Sequence, residues 1–250
     1  MKLHRVRVVH RERFGNHALI RYVWNDSPPA PGQFVMARPA SAAHALDPFL
    51  ARPFFAHDHE GDVVSLLFEV RGRGTVLLAE EREELLVSRP RGRGFEIRRG
   101  PVALVGGGVW VAPLKLLSRR LEQAGVSHDT YIEIPKSAPG EYAAWLAQGY
   151  PAARFVHTAD PAGAPGQLFE EIGDLGRYST LYASGPAEML AATKRASEGR
   201  VVAQLALRER MACADGSCYG CAVPVLGDGE RSYARACVDG PVFRAEALAW

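Results

Sequence analysis

The sequence predicts an antiparallel β-barrel, followed by an α/β domain with a parallel sheet and by a small lobe that carries cysteines. The first hundred residues contain short runs of β-forming residues separated by Pro and Gly clusters, which is typical of a barrel or a sandwich. From Pro101 onwards, apolar strands alternate with helices, and this alternation predicts a parallel sheet with helices on both faces. All four cysteines lie in the last forty residues.

In the first part, strands are predicted from runs of β-forming residues at positions 5–9, 18–23, 33–37 and 63–70. A helix is predicted from residues 74–75 to about residue 86, because apolar Val76, Leu77 and Leu78 are followed by acidic residues. We expect this part to form one domain over residues 1–99.

In the second part, strands are predicted at positions 102–105, 130–134, 153–157, 180–183 and 201–207. Helices are predicted between them at positions 113–124, 138–148, 166–172 and 187–196. The cysteines follow the last strand, together with a hairpin-like pair of segments around residues 226–229. We therefore expect a second domain over residues 100–204 and a lobe over residues 205–250.

Composition places the chain among ordinary globular proteins. Its 250 residues suit one large or two modest domains, and 47% of them are hydrophobic while 23% are charged. A net charge of +2 gives no sign of a nucleic-acid footprint. No run is apolar enough to cross a bilayer, and the first residues lack the apolar core of a secretory signal. These observations predict a cytoplasmic protein that binds neither nucleic acid nor membrane.

The most specific motif is a C-x4-C-x2-C series formed by Cys213, Cys218 and Cys221, with Cys237 following after fifteen residues. This is the plant-type spacing of cysteine ligands around a [2Fe–2S] cluster. Small residues between the cysteines allow backbone N–H groups to approach the sulfurs, which tunes the potential of a cluster. The spacing therefore predicts one cluster held by four thiolates, and a chain that transfers electrons one at a time.

Two other uses of these cysteines are open from the residues alone. A structural zinc site usually contains two C-x2-C pairs, whereas this sequence has one. Two disulfides would need an oxidising compartment, and no secretory signal is visible. The spacing favours the cluster over both alternatives.

Two glycine turns follow strands of the predicted parallel sheet. The run Gly106-Gly107-Gly108 lies between a strand and a helix, where backbone amides at the helix N-terminus can receive a pyrophosphate. The run Ser184-Gly185-Pro186 ends a later strand. Ligands bind beyond the carboxyl ends of such strands, so the two turns together predict a cofactor crevice. The first run is not a G-x-G-x-x-G fingerprint, and a plain tight turn is its alternative.

Two runs in the barrel also suit a nucleotide. In Arg52-Pro53-Phe54-Phe55, an arginine that can pair with a pyrophosphate precedes aromatics that can pack on a flat ring. The alternative for this run is a strand with core phenylalanines and a surface arginine. The segment from Glu69-Val70-Arg71 to Gly74-Thr75 ends a strand and opens a helix, which again suits a phosphate. Residues 57–59, His-Asp-His, are interpreted as a solvated loop rather than a metal site.

Taken together, these runs resemble the ferredoxin-reductase-like flavoproteins, and most closely the electron-transfer subunits of class 1B dihydroorotate dehydrogenases. The resemblance covers nearly the whole chain. It rests on the runs named above and on three further segments: Pro31-Gly32-Gln33-Phe34, Gly92-Arg93-Gly94-Phe95, and Cys237-Val238-Asp239-Gly240-Pro241-Val242-Phe243 after the fourth cysteine.

The resemblance implies FAD on the barrel, NAD on the central domain and a [2Fe–2S] cluster on the C-terminal lobe. FAD contacts would come from residues 52–55, from residues 69–71 and from Gly74 and Thr75, and NAD contacts from residues 106–108 and 184–186. It also implies a partner, the FMN-containing catalytic subunit of dihydroorotate dehydrogenase, in a heterotetramer. The chain would then be an electron conduit between the flavin of that subunit and NAD in pyrimidine biosynthesis, with no catalytic side chain of its own.

The sequence departs from the family at two places. The family usually has a small hydroxyl residue near Phe55 and Ala56, so here a backbone N–H is expected to serve flavin N5. It also tends to have glycine at the position of Trp110, which is expected to narrow the nucleotide site. A reductase subunit of a sulfide dehydrogenase or of a ferredoxin:NADP+ transhydrogenase is an alternative, as is a zinc-stabilised binding module. Such related reductases can replace one cysteine ligand by aspartate, whereas all four are cysteines here.

Overall fold

The computed structural model describes residues 1–158, 165–227 and 229–250. Asp228, in the predicted hairpin turn, lies outside the described residues. The β-strands are β1 (Leu3–Phe14), β2 (His17–Val23), β3 (Phe34–Pro39), β4 (Arg52–Glu60), β5 (Val63–Glu69), β6 (Glu84–Ser88), β7 (Val102–Gly107), β8 (His128–Pro135), β9 (Arg154–Thr158), β10 (Thr180–Ser184), β11 (Val202–Ala206), β12 (Ala222–Gly227), β13 (Glu230–Arg235) and β14 (Val242–Arg244). The α-helices are α1 (Arg73–Glu80), α2 (Ala112–Gln123), α3 (Gly140–Gly149), α4 (Pro165–Ile172) and α5 (Ala187–Ser197). In the described part of the chain, no helix has the length and apolar character that crossing a membrane requires.

Six strands close into an antiparallel barrel in the order β1-β2-β5-β4-β3-β6. Its interior is filled by apolar side chains such as Ile20, Leu66 and Leu85, each at most 1% exposed. Strand β6 pairs with both β1 and β3 and so closes the barrel. The helix predicted to reach about residue 86 is therefore wrong beyond Glu80, because strand pairing outweighs the helix propensity of the acidic residues that follow α1.

Strand β4 extends past the aromatic run, so the prediction of a solvated loop at residues 57–59 is wrong. His57 is only 6% exposed, and its Nδ1 lies 2.9 Å from the carbonyl oxygen of Ala112 in α2. Because a carbonyl only accepts, Nδ1 carries the proton. Burial lowers the pKa of His57 to about 4. The strand continues here because Phe54 and Ala56 fill the barrel, which turns His57 towards the neighbouring helix.

The second sheet has the order β14-β11-β10-β7-β8-β9. Its strands β7 to β11 run parallel, as the alternation of strands and helices predicts. The short strand β14 pairs antiparallel with β11 at the edge, so the sheet is mixed rather than wholly parallel. Strand β14 comes from the tail after Cys237, so this tail joins the cysteine segment to the sheet.

Aromatic side chains hold the barrel against the sheet. The rings of His17 and Tyr142 stack with centroids 3.7 Å apart, and those of Phe14 and Trp145 with centroids 4.7 Å apart. Phe14 and His17 belong to the barrel, whereas Tyr142 and Trp145 belong to α3. Such pairs each add about 0.5–1.5 kcal/mol beyond the burial of their area. A groove lies between the two parts that these contacts hold together.

Candidate cofactor sites

Arg52 lies against the N-terminus of α1. A Cβ atom added at Gly74 would lie 1.9 Å from the guanidinium carbon of Arg52, so a larger residue would force that side chain to move. Arg52 Nη1 donates a hydrogen bond to the carbonyl oxygen of Leu50 at 2.9 Å, which fixes its position. The structure therefore brings together two residues that the sequence predicted from separate runs.

The first turn of α1 presents hydrogen-bond donors beside this arginine. The Thr75 hydroxyl accepts hydrogen bonds from the amides of Arg71 and Gly72, at 2.9 and 3.1 Å. Within the described ranges, the amides of Arg73 and Gly74 have no acceptor, and the helix dipole adds partial positive charge there. Since Arg52 adds a full charge, the residues at this end of the groove fit a pyrophosphate.

The groove continues into a pocket lined mainly by aromatic and apolar side chains. Pro53 and Phe54 line both the phosphate end and this pocket, so the two form one continuous groove. Phe55 faces the pocket, whereas the ring of Phe54 packs in the barrel against Phe68, with centroids 5.1 Å apart. The apolar walls fit a flat ring system such as a flavin.

The remaining residues predicted for FAD lie at different places. Glu69 lines the pocket, and its Oε2 pairs with Arg71 Nε at 2.7 Å, while Arg71 lines the phosphate end. Val70 packs against the barrel core instead. The amide of fully buried Ala56 donates to the carbonyl oxygen of Gln33 at 3.1 Å, so it has no free N–H for flavin N5.

Two further groove residues were not predicted for FAD from the sequence. Trp110, which was expected to narrow the nucleotide site, lines both parts of the groove. Arg208 lies over its ring, with the guanidinium carbon 4.4 Å from the centroid, and was not predicted at all. Arg208 follows the carboxyl end of β11, and this position in a parallel sheet is the signal that could have found it.

The two glycine turns lie side by side at the sheet. Strand β7 pairs in parallel with β10, and Gly106 lies opposite Ser184. The chain adds β8 and β9 on one side of β7 and then returns to place β10 on the other side. The strand order therefore reverses between β7 and β10, and a crevice for a nucleotide is expected at such a point.

Close packing accounts for part of this glycine pattern. A Cβ atom at Gly106 would lie 2.7 Å from Leu114 Cδ1, and one at Gly185 would lie 1.9 Å from Met189 Cε. Gly107 continues β7 rather than forming a turn. Gly108 alone of the first run has a left-handed φ, of 53°, and open space around it. Of the three glycines at positions 106–108, Gly108 is thus the one whose backbone is free to approach a ligand.

The four cysteines form two pairs. Cys213 and Cys218 lie towards the surface, whereas Cys221 and Cys237 are buried, each 2% exposed. In the part of the chain that the structure describes, no three His, Cys, Asp or Glu side chains converge as ligands of a single ion. Each iron of a [2Fe–2S] cluster takes two protein ligands, so two thiol pairs fit the two irons.

The backbone between the cysteines turns its amides towards sulfur. Ala214 and Tyr219, with φ of 54° and 55°, are the non-glycine residues in the left-handed region among those described. The Gly220 amide lies 3.4 Å from the sulfur of Cys218. Hydrogen bonds from the amides of Asp215 and Cys218 lower the pKa of Cys213 to about 6. Burial, in contrast, raises the pKa of Cys237 to about 12. The loop thus stabilises thiolate at its exposed end, as an iron ligand requires.

Comparison with known proteins agrees with this arrangement. Residues 208–249 match the family described as the iron-sulfur cluster binding domain of dihydroorotate dehydrogenase B. The electron transfer subunit of dihydroorotate dehydrogenase B (NAD+) from Caldanaerobacter subterraneus subsp. tengcongensis is 33% identical, over 98% of this chain and 97% of that protein. The corresponding subunit of Geobacillus thermodenitrificans is 36% identical, over 86% of this chain and 85% of that protein. The chain belongs to this family of electron transfer subunits.

The predicted family and fold class are thereby confirmed, and solved structures agree with the fold. A chain of the NADH-dependent reduced ferredoxin–NADP oxidoreductase, described for flavin-based electron bifurcation, superposes with a TM-score of 0.79. It is 23% identical, and the match covers 98% of this chain and 90% of that chain. The cluster-binding match contains all four cysteines and lies within the lobe predicted for a member of this family.

Proposed function

We propose that this chain carries electrons between a dihydroorotate-oxidising catalytic subunit and NAD, through a [2Fe–2S] cluster and an FAD that it binds itself, in pyrimidine biosynthesis. One observation carries the proposal: a single groove adjoins both of the other sites. Met211, two residues before Cys213, lines the groove, and so does Val109, directly after Gly108. An FAD in this groove would lie between the cluster and the nucleotide.

The site residues follow from this arrangement. FAD would be held by residues 52–55, Glu69, Arg71, Gly74 and Thr75, with Trp110 and Arg208 added from the structure. NAD would lie at residues 106–108 and 184–186, and the cluster on the four cysteines. When bound, the cluster supplies single-electron transfer, FAD exchanges single electrons for a hydride, and NAD takes or gives that hydride.

The protein itself positions and shields these groups. Arg52 and the first turn of α1 neutralise a pyrophosphate, and the aromatic walls exclude water from the groove. The described residues that line the aromatic pocket include no Cys, Ser, His or Lys side chain. Glu69 and Glu209 also line this pocket, and we assign the base for the oxidation of dihydroorotate to the catalytic subunit rather than to them. We propose that this subunit contains FMN and that the two chains form a heterotetramer.

The exposed edge of the cysteine loop suits the docking of that subunit. Cys218 is exposed, the adjacent Tyr219 is 60% exposed, and Val238, next to Cys237, is 37% exposed. Single-electron transfer requires the cluster near both flavins, so its exposed edge is the face we assign to the partner. The division into residues 1–99, 100–204 and 205–250 stays a proposal, since β14 ties the last part to the sheet.

Reconstitution tests the proposal. The chain, purified without oxygen, should contain about two irons and two acid-labile sulfides. Alone, it should pass electrons from NADH to an artificial acceptor, and it should reduce NAD+ with dihydroorotate only after the catalytic subunit of its own organism is added. Full dihydroorotate oxidation by the lone chain would contradict the proposal. Stoichiometric zinc without sulfide would instead favour a zinc-stabilised module, and activity with sulfide or ferredoxin would favour a related reductase complex.

A further inference from the structure

Two arginines hold the cysteine loop by its carbonyl groups. Arg91 Nη1 donates a hydrogen bond to the carbonyl oxygen of Ala214 at 2.8 Å. Arg235 Nη1 donates to the carbonyl oxygen of Gly216 at 3.4 Å. Ala214 and Gly216 both have left-handed φ values, of 54° and 87°. The arginines therefore hold the two left-handed residues that lie between Cys213 and Cys218.

The contact of Arg91 acts on a peptide group close to the first cysteine. The carbonyl of Ala214 and the amide of Asp215 belong to the same trans peptide, so they point in opposite directions. The carbonyl accepts from Arg91, and the amide lies two residues after Cys213. A cation at the carbonyl polarises this peptide and makes its amide a stronger hydrogen-bond donor towards a nearby sulfur.

The two arginines differ in how their charge is compensated. Arg235 Nε pairs with Asp239 Oδ2 at 3.3 Å. Arg91 has no carboxylate partner within the described residues, and its Nε is buried without an acceptor. Its backbone is fixed to the barrel by a pair of hydrogen bonds with Phe34, of 2.8 and 3.2 Å. The barrel thus places a partly buried cation without an ion pair beside the cysteine loop, in a cavity that Asp215 and Cys237 also line.

We propose that Arg91 is the counter-charge of the [2Fe–2S] cluster and raises its reduction potential. This inference rests on the proposed function, in which the four cysteines hold that cluster. A cluster held by four thiolates is negatively charged, and the gain of one electron adds negative charge without a proton. A nearby cation and a stronger N–H···S hydrogen bond both stabilise the reduced form, so both raise the potential. Arg91 thereby links the flavin-binding barrel to the energetics of electron transfer.

Arg89 offers a matched control. It lies two residues away on the same segment and lines the same cavity as Arg91 and Cys237. Its Nη2 pairs with Asp26 Oδ2 at 2.7 Å, so its charge is neutralised locally. Replacing Arg89 removes a charge from the same region without removing the contact to the cysteine loop.

The test is a redox titration of the full chain, with the cluster followed by electron paramagnetic resonance and FAD by absorbance. Arg91→Gln should lower the cluster potential by at least a tenfold change in the one-electron equilibrium constant, which is 59 mV. Arg89→Gln should change that constant less than about twofold. Arg91→Lys, which keeps the charge, should remain close to wild type, and the FAD potential should be the same in all variants.

An unchanged cluster potential in Arg91→Gln overturns the inference, as does an equal shift in Arg89→Gln. If Arg91→Gln retains no cluster, Arg91→Lys distinguishes an electrostatic role from a structural one. A cluster at the wild-type potential in Arg91→Lys supports the counter-charge. Loss of the cluster, or a lowered potential, in Arg91→Lys shows that Arg91 is only a structural anchor. Absence of a [2Fe–2S] signal from the wild-type chain overturns the proposed function as well. A normal signal without dihydroorotate-linked activity challenges the proposed function alone.

Discussion

The cysteine loop and the phosphate end of the groove bind charged groups in opposite ways. The loop, residues 213–221, places two non-glycine residues and Gly216 in the left-handed region. The phosphate end uses regular elements, the start of β4 and the first turn of α1, and it has glycine where Arg52 leaves no room for a Cβ atom. The groove is thus built from regular secondary structure, whereas the loop adopts an unfavourable backbone conformation that suits its ligand.

The left-handed residues of the loop make its conformation depend on the bound cluster. A non-glycine residue in the left-handed region costs roughly 1–2 kcal/mol. Ala214 and Tyr219 both carry this cost, and hydrogen bonds from two arginines offset part of it. Loss of the cluster should therefore loosen the loop, whereas loss of FAD should leave the barrel and α1 unchanged.

The largest expected effect is the loss of partner-linked activity when a cysteine of the loop is replaced. In Cys218→Ser, one ligand of the cluster is replaced while the groove is untouched. Turnover with the catalytic subunit should fall by more than about 100-fold, because mutating residues that only support the ligands already lowers metal affinity or activity by about 10–100-fold. Electron transfer from NADH to an artificial acceptor should be largely retained, and it serves as the control within the same variant. Parallel loss of both activities would show that the groove depends on the loop.

On the barrel side, stability should depend on pH through a buried histidine. The folded-state pKa of His57 is about 4 and its ordinary value is 6.5, so the folded state binds the proton more weakly. The stabilisation is complete above pH 6.5 and is lost as the pH falls towards 4. The shift corresponds to about 3 kcal/mol, at 1.36 kcal/mol per pKa unit.

Urea unfolding at several pH values in this window measures the effect. His57→Gln, which can still donate to the carbonyl of Ala112, should lose this part of the pH dependence. His44→Gln, at an exposed position, should keep it. Identical pH profiles for wild type and His57→Gln would exclude the titration of this buried histidine as the cause.

FAD affinity should respond to a single added methyl group. Gly74→Ala should displace Arg52 and weaken FAD binding by about 1–3 kcal/mol, as should Arg52→Ala, the scale for losing a charge-assisted partner. Gly72→Ala is the matched control, because its φ is −165° and no atom lies within 4 Å of the added Cβ. Equilibrium dialysis of FAD compares the three variants. Equal affinity of Gly74→Ala and Gly72→Ala would contradict the proposed pyrophosphate site.

The smallest expected effect concerns the strained backbone of the loop. Tyr219→Gly relieves the left-handed cost but loses the contact with Arg235, whose guanidinium carbon lies 5.3 Å from the ring centroid. These contributions of about 1 kcal/mol nearly cancel, so the cluster should be retained. Tyr219→Val, a β-branched residue, should release the cluster at a lower temperature. Tyr233→Val, at a 73% exposed strand position, should not, and equal release temperatures would argue against backbone strain.

Local patterns predicted much of both regions. The ligands Cys213 to Cys221 lie within nine residues, so their spacing is readable without the fold. The run from Arg52 to Phe55 likewise places an arginine and aromatics together in one strand. The alternation of strands and helices predicted the sheet, because the hydrophobic residues of each segment recur with the spacing of a strand or of a helix.

The rest depended on contacts between distant segments. Trp110 and Arg208 meet only because β7 and β11 end at the same edge of the sheet. The buried position of His57 is set by α2, about fifty residues further along the chain, and not by its polar neighbours. The acidic residues after α1 favour a helix locally, and only the closure of the barrel makes β6 a strand. No local pattern in the sequence contains this information.

Anaerobic reduction of the isolated chain tests the conduit most directly. NADH should bleach the flavin absorbance and produce the electron paramagnetic resonance signal of a reduced [2Fe–2S] cluster in the same sample. Dihydroorotate should do neither until the catalytic subunit is added. A cluster that NADH cannot reduce through FAD, or a chain that dihydroorotate reduces on its own, would contradict the account.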